Sequence, residues 1–163
     1  MPTIDKKEVV AALHARLVAS LESLTAAQKT VQSGATHPEA RQEHPKDTRS
    51  TEAGYLARGL AERVETVRDG IRALSLMPVR DLADDDVASP GALVTIADED
   101  GDEAVYLLAP AGGGERLVVA GCDILVLTPQ SPLGAAIAGR RRGDAVEVDL
   151  PSGRLRAEVT HVA

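Results

Sequence analysis

The sequence predicts an α+β chain: an N-terminal antiparallel helical hairpin (a coiled coil), then a mostly antiparallel β-sheet domain carrying one short helix. Three observations carry this. Two long stretches hold apolar residues at 3–4 spacing, separated by a polar segment with two prolines. Beyond about residue 90 the period shortens to that of strands, with turn residues between the runs. Phe and Trp are absent and there are only two tyrosines, so the core is built from Leu, Val, Ile and Ala. Such residues suit a helical seam and a thin sheet.

The first helix signals its own start. Asp5 is placed to accept from exposed amides, and Glu8, three residues on, completes a capping box. Ile4 and Val9 have the spacing of a hydrophobic staple. A seam then runs through Val10, Leu13, Leu17, Leu24, Ala27 and Val31, interrupted at Ser20 and ended by Gly34. A second seam reads Leu56, Leu60, Val64, Val67, Ile71 and Leu74, with Asp47 or Ser50 as cap and Pro78 just past the end. Two helices with one seam each bury those seams against each other. At 1.5 Å per residue, about 28 residues make a rod on the order of 40 Å long. The hairpin is therefore expected over 1–78, with its connecting loop, 35–50, exposed at the far tip.

Residues 79–90 read as a linker, because Asp81 and Asp84-Asp85-Asp86 repel and Pro90-Gly91 breaks structure. The β-rich domain then spans 91–163. Strands are expected over 92–97, 103–108, 116–120, 123–127, 145–150 and 154–162. Asp98-Glu99-Asp100-Gly101 and Pro151-Ser152-Gly153 supply hairpin turns. The short helix has Ser131 as cap, Pro132 at its first position, Leu133 and Ile137 on its buried face, and Gly139 as stop.

Composition narrows the function classes. The near absence of aromatic residues argues against base-stacking surfaces. Residues 1–78 carry 11 Lys and Arg against 10 Asp and Glu, whereas 79–163 carry 7 against 15. An acidic domain is a poor non-specific binder of nucleic acid, whose affinity comes from replacing counterions on phosphate. Another protein is thus expected to bring this chain to DNA or RNA. Cys122 is the single cysteine, which excludes an internal disulfide. No apolar run approaches a membrane span, and the first residues lack a signal-peptide core, so a cytoplasmic location and no membrane partner are expected.

The ordered series Leu125-Val126-Leu127-Thr128-Pro129-Gln130-Ser131-Pro132-Leu133-Gly134, a short helix to Gly139, Gly143-Asp144, Ala145-Val146-Glu147-Val148 and Pro151-Ser152-Gly153 resembles the C-terminal domain of the Gre transcription elongation factors. The resemblance reaches back to Gly91-Ala92-Leu93-Val94-Thr95-Ile96 and Tyr106. It implies an FKBP-like docking domain, with bacterial RNA polymerase as partner and Ser131, Pro132 and Leu133 as the contact with the rim of its secondary channel. It implies, too, a coiled coil whose tip enters that channel. Capping a short helix is the structural role of the same corner, and both can hold at once.

The tip segment Asp47-Thr48-Arg49-Ser50-Thr51-Glu52-Ala53-Gly54-Tyr55 resembles the family's tip, with a departure. Cleaving members have an Asp and a Glu three residues apart, and the Glu four before a Tyr. Here Asp47 and Glu52 are five apart, and Glu52 is three before Tyr55. Polymerase clamps attacking and leaving oxygens with two metals. Exposed carboxylates at a tip could ligate the weakly held second Mg²⁺ and orient a water toward the RNA. Asp47, Glu52 and Glu43 are the candidates. Their structural alternatives are a helix cap for Asp47, a first-turn carboxylate for Glu52 and a solvated loop acid for Glu43.

Other features read more plainly. His37 and His44 have no cysteine beside them, so no metal site of the chain's own is expected. Arg140-Arg141-Arg142 forms a solvated turn or meets an acidic patch on a partner. Gly112-Gly113-Gly114 reads as a flexible connection and Cys122 as a small packing residue. The expected function is that of an accessory factor, not an enzyme. It would stimulate cleavage of backtracked RNA with Mg²⁺ of the polymerase and no cofactor of its own. The alternative is a non-cleaving channel regulator of the same architecture. Prolyl isomerase activity is excluded, because Tyr55 and Tyr106 cannot line an aromatic pocket.

Overall fold

The structure is a computed structural model that describes residues 4–35, 48–83 and 86–163. Its element order is α1 (Lys6–Ala35), α2 (Thr48–Leu76), β1 (Leu93–Asp98), β2 (Glu103–Leu108), β3 (Arg116–Val119), β4 (Cys122–Leu127), α3 (Pro132–Ile137), β5 (Ala145–Leu150) and β6 (Gly153–Val162). The chain divides into two compact units, one of residues 16–71 and one that joins the first 15 residues to Arg72–Ala163.

The unit of residues 16–71 holds most of both long helices. Leu17 and Val64 are buried, while Leu21, Leu24, Gln28, Val31, Leu60, Val67 and Ile71 are half-buried, a stripe at 3–4 spacing on each helix. In the other unit the start of α1 lies beside the end of α2, so the two helices run antiparallel. The predicted seam of α1 shifts in detail. Val9 rather than Val10 is fully buried, and Gln28 is half-buried where Ala27 is exposed. A helix turning at 3.6 residues drifts away from a strict seven-residue repeat. Ser50 lies inside α2 and is not its cap.

Asp5 caps α1 as predicted, its Oδ1 accepting from the Lys7 amide at 2.8 Å. A stretch of α1, Lys6–Gly34, is long and apolar enough by length and composition to cross a membrane, contrary to the sequence reading. Between Val9 and Gln28 the only Asp, Glu, Lys or Arg residues are Arg16 and Glu22. Exposed alanines, the half-buried Val10, Val18, Leu21 and Leu24, and the buried Val9, Leu13 and Leu17 make up the apolarity. Of this window 17% is buried.

The second unit is built on a six-stranded sheet in the order β3-β4-β2-β1-β6-β5. All pairings are antiparallel except that of β2 with β4. Strand alternation gives the sheet two buried faces. One, with Val94, Ile96, Leu108, Leu127, Val146 and Val159, packs on Leu133 and Ile137 of α3. The opposite face places Leu93, Leu107, Ile124, Val126 and Leu117 in register across neighbouring strands, and all five are buried. The base of the hairpin belongs to this unit through the buried Val9, Leu13, Leu74 and Met77.

Two residues of the expected linker, 79–90, join the sheet core. Leu82 packs on the sheet core and Ala88 is buried within it. Ala88 also exchanges backbone hydrogen bonds with the end of α3, donating to Arg140 O at 2.7 Å and accepting from Gly139 N at 2.7 Å. Lys6, nearly buried, donates its Nζ to the Arg80 carbonyl. Burial lowers the Lys6 pKa, with the Asp81 carboxylate opposing that shift and Arg80 reinforcing it. Leu82 and Ala88 supply apolar contact here, while Asp81 stays exposed. The glycine run is likewise tied down. A Cβ on Gly112 would stand 2.6 Å from Leu13 Cδ1, and one on Gly113 would stand 3.0 Å from Thr128 Cγ2. Gly112 also has a φ of 79°, so both conformation and space select glycine there.

Candidate docking site

The corner before α3 is the most closely determined part of the second unit. Ser131 is its N-cap, with Oγ accepting from Gly134 N at 3.1 Å and donating to Thr128 O at 2.8 Å. The Ser131 amide donates to the same Thr128 carbonyl at 3.0 Å. Pro132 occupies the first helical position, where its missing N–H costs nothing. A Cβ on Gly134 would fall 2.0 Å from Thr128 O, so no other residue fits without moving the backbone. The sequence pattern captured the cap and the proline, but not the reason for the glycine.

Of the three predicted contact residues, the structure exposes Pro132, half-buries Ser131 and buries Leu133 at 8% exposure. Leu133 therefore anchors the corner to the sheet core and leaves little of its side chain exposed. The physical reason is spacing: four residues before Ile137, it must share that residue's buried face. Gln130, Pro132 and Ala135 make the outward surface.

Of the tip acids, Asp47 and Glu43 lie outside the described residues, as do His37 and His44. Glu52 is the fifth residue of α2 and exposed. No acid sits in the first turn of α2, which corrects the first-turn reading of Glu52 and removes the helix dipole as its explanation. Tyr55 and Leu56, three and four residues on, share its face of the helix and are 67% and 55% exposed.

One feature escaped the sequence reading. On the face of the sheet that holds α3, the strands β2, β3 and β4 leave a groove of about 400 Å³ lined by Ala104, Tyr106, Arg116, Asp123 and Leu125 among others. Burial raises the Tyr106 phenol pKa, and the positive Arg116 partly offsets this. Cys122 borders the groove and is half-buried. The parallel β2–β4 pairing that brings these side chains together has no local signal in sequence.

Residues 83–163 match the family described as transcription elongation factor, GreA/GreB, C-term. The C-terminal domain belongs to the GreA/GreB family. Among curated relatives, transcription elongation factor GreA of Streptomyces coelicolor is 41% identical over 75 residues, which is 44% of this chain and 41% of that protein. Its counterpart from Streptomyces avermitilis is 39% identical over 75 residues, 45% of this chain and 42% of that one. The match thus spans less than half the length of these GreA proteins. Two solved structures align along more of the chain. The GreA factor homolog 1 protein of Thermus thermophilus covers 93% of this chain and 95% of its own, at 20% identity and a TM-score of 0.39. The GreA/GreB factor from Nitrosomonas europaea covers 63% and 91%, at 22% identity and a TM-score of 0.38. The GreA/GreB assignment here rests on the family match over residues 83–163.

Proposed function

We propose that this chain is a transcription elongation factor that binds bacterial RNA polymerase through its GreA/GreB-type domain and inserts the hairpin tip into the secondary channel. The observation that carries this is the join itself: a GreA/GreB-type domain in one compact unit with the base of two antiparallel helices of 30 and 29 residues. To Asp47, Glu52 and Glu43 we assign the action at the polymerase's Mg²⁺. Hard carboxylate oxygens would ligate the weakly bound second ion, and a water so oriented would attack the RNA phosphodiester. Polymerase performs the hydrolysis and supplies the metal. The chain is an accessory factor without a cofactor of its own, works in the cytoplasm, and reaches nucleic acid through the polymerase rather than by reading its sequence.

A second reading is favoured by one observation. Glu52 is seated within α2 and separated from Asp47 by five positions, which differs from the spacing of cleaving members. The chain would then occupy the channel and regulate elongation without promoting cleavage. A backtracked polymerase complex separates the two. Shortened RNA that is lost at least about tenfold with Asp47→Ala supports cleavage; transition-state contacts of this kind are worth at least ~1.4 kcal/mol. An unchanged transcript with altered elongation supports the regulator.

A further inference from the structure

Residues 79–163 hold seven basic residues against 15 acids, and three of the seven stand together as Arg140-Arg141-Arg142. Two others, Arg154 and Arg156, pair with acids. Arg154 meets Asp149 at 2.8 Å and Glu147 at 3.4 Å, and Arg156 meets Glu147 at 3.2 Å and Glu99 at 3.9 Å. The pairs with Asp149 and Glu147 join β5 to β6. Arg140, Arg141 and Arg142 stand together at one turn. All three are exposed, and they follow α3 directly.

The turn that carries them is held from several sides. Gly139 N donates to Ala88 O at 2.7 Å, Ala88 N to Arg140 O at 2.7 Å, and Arg140 N to Ile137 O at 3.0 Å. Arg141 N donates to Asp144 Oδ2 at 2.8 Å, and Asp144 N to Arg141 O at 3.0 Å. Gly143 N donates to Val159 O at 2.7 Å, which ties the far side of the turn to β6. Arg140 Nε donates to Ala136 O at 3.2 Å, which lays its stem along the end of α3. The backbone is thus ordered before any partner arrives, so less entropy is lost when the guanidinium groups engage. At the other end of this six-residue helix stands the exposed Pro132. At 1.5 Å per residue the two ends are about 9 Å apart, well within one side of an ordinary protein interface.

We propose that Arg140, Arg141 and Arg142, with Pro132 and Ala135 on the same helix, form one docking surface for an acidic patch of a partner protein. This rests on the polymerase reading above and names the chemistry of the surface it would meet. Guanidinium groups take carboxylates in bidentate fashion, and charge reversal at such a rim changes association rate and salt sensitivity. Carboxylates are a better match than a nucleic-acid backbone. A phosphate chain would run on from the three arginines over a domain with twice as many acids as bases, and would be repelled there.

The test is the affinity of the full chain for bacterial RNA polymerase, measured from about 50 to 200 mM salt, for wild type, R141E/R142E and R141K/R142K. Wild type should weaken with salt. The glutamate variant should bind about tenfold less tightly at low salt with a shallower dependence, and the lysine variant should retain most of the affinity. Thermal melting of both variants should match wild type, because their backbone hydrogen bonds are kept. Wild-type affinity and salt dependence in R141E/R142E would overturn the proposal while leaving polymerase binding intact. No polymerase binding by wild type would overturn both readings. Arginine-dependent binding to a 30-base-pair DNA duplex with unchanged polymerase affinity would show a phosphate site and overturn this one.

Discussion

Gly134 and Pro132 are two positions apart in sequence and do opposite work. Gly134 admits no Cβ, because Thr128 O already fills the space at 2.0 Å. Gly134→Ala must push the corner apart and should destabilise the sheet unit by about 3 kcal/mol, at the upper end of overpacking costs, as a thermal or denaturant melt would show. Pro132 is exposed and contributes to folding only by presetting the first helical turn. Pro132→Ala should therefore leave stability within about 1 kcal/mol of wild type while weakening polymerase binding. Loss of folding instead would contradict its docking role. These residues also show what sequence can reveal at this scale. Ser131, Pro132 and Gly139 announce a helix through rules that need no tertiary knowledge. The burial of Leu133 and the space limits at Gly112 and Gly134 come from residues distant in sequence or from an adjoining backbone carbonyl, and no pattern encodes them.

At the scale of elements, hydrophobic period identified both long helices, α3 and all six strands, with ends displaced by a residue or two. What it missed shares a cause. Acids dominate the composition of the segment before β1, yet its Leu82 and Ala88 join the core. The groove at Tyr106 and Arg116 depends on strand order, which local periodicity does not carry. The helices also differ in quality. Gly54 and Gly59 lie on the exposed side of α2 with open space where a Cβ would be. Each costs the helix backbone entropy without a packing return. Gly54→Ala and Gly59→Ala should each stabilise α2 by about 0.8 kcal/mol, read as raised helicity and slower amide exchange. An unchanged exchange rate would mean that α2 is held by packing alone.

At the scale of the whole molecule, the account joins two parts with different duties. In the proposed reading the acidic sheet domain of GreA/GreB type binds a partner beside α3, and the helical pair carries the exposed Glu52 and Tyr55. Bulk charge, the lack of aromatics and the hairpin pattern were enough to suggest that division. What the tip does to RNA depends on how Asp47 and Glu52 are placed relative to the polymerase's metals, and that is a property of the complex rather than of the chain. A photo-crosslinker at position 52 of the full chain, bound to a stalled bacterial polymerase, tests the central claim most directly. The account predicts adducts with residues lining the channel that leads to the catalytic Mg²⁺. Adducts confined to the outer surface of the polymerase, with the chain fully bound, would contradict it.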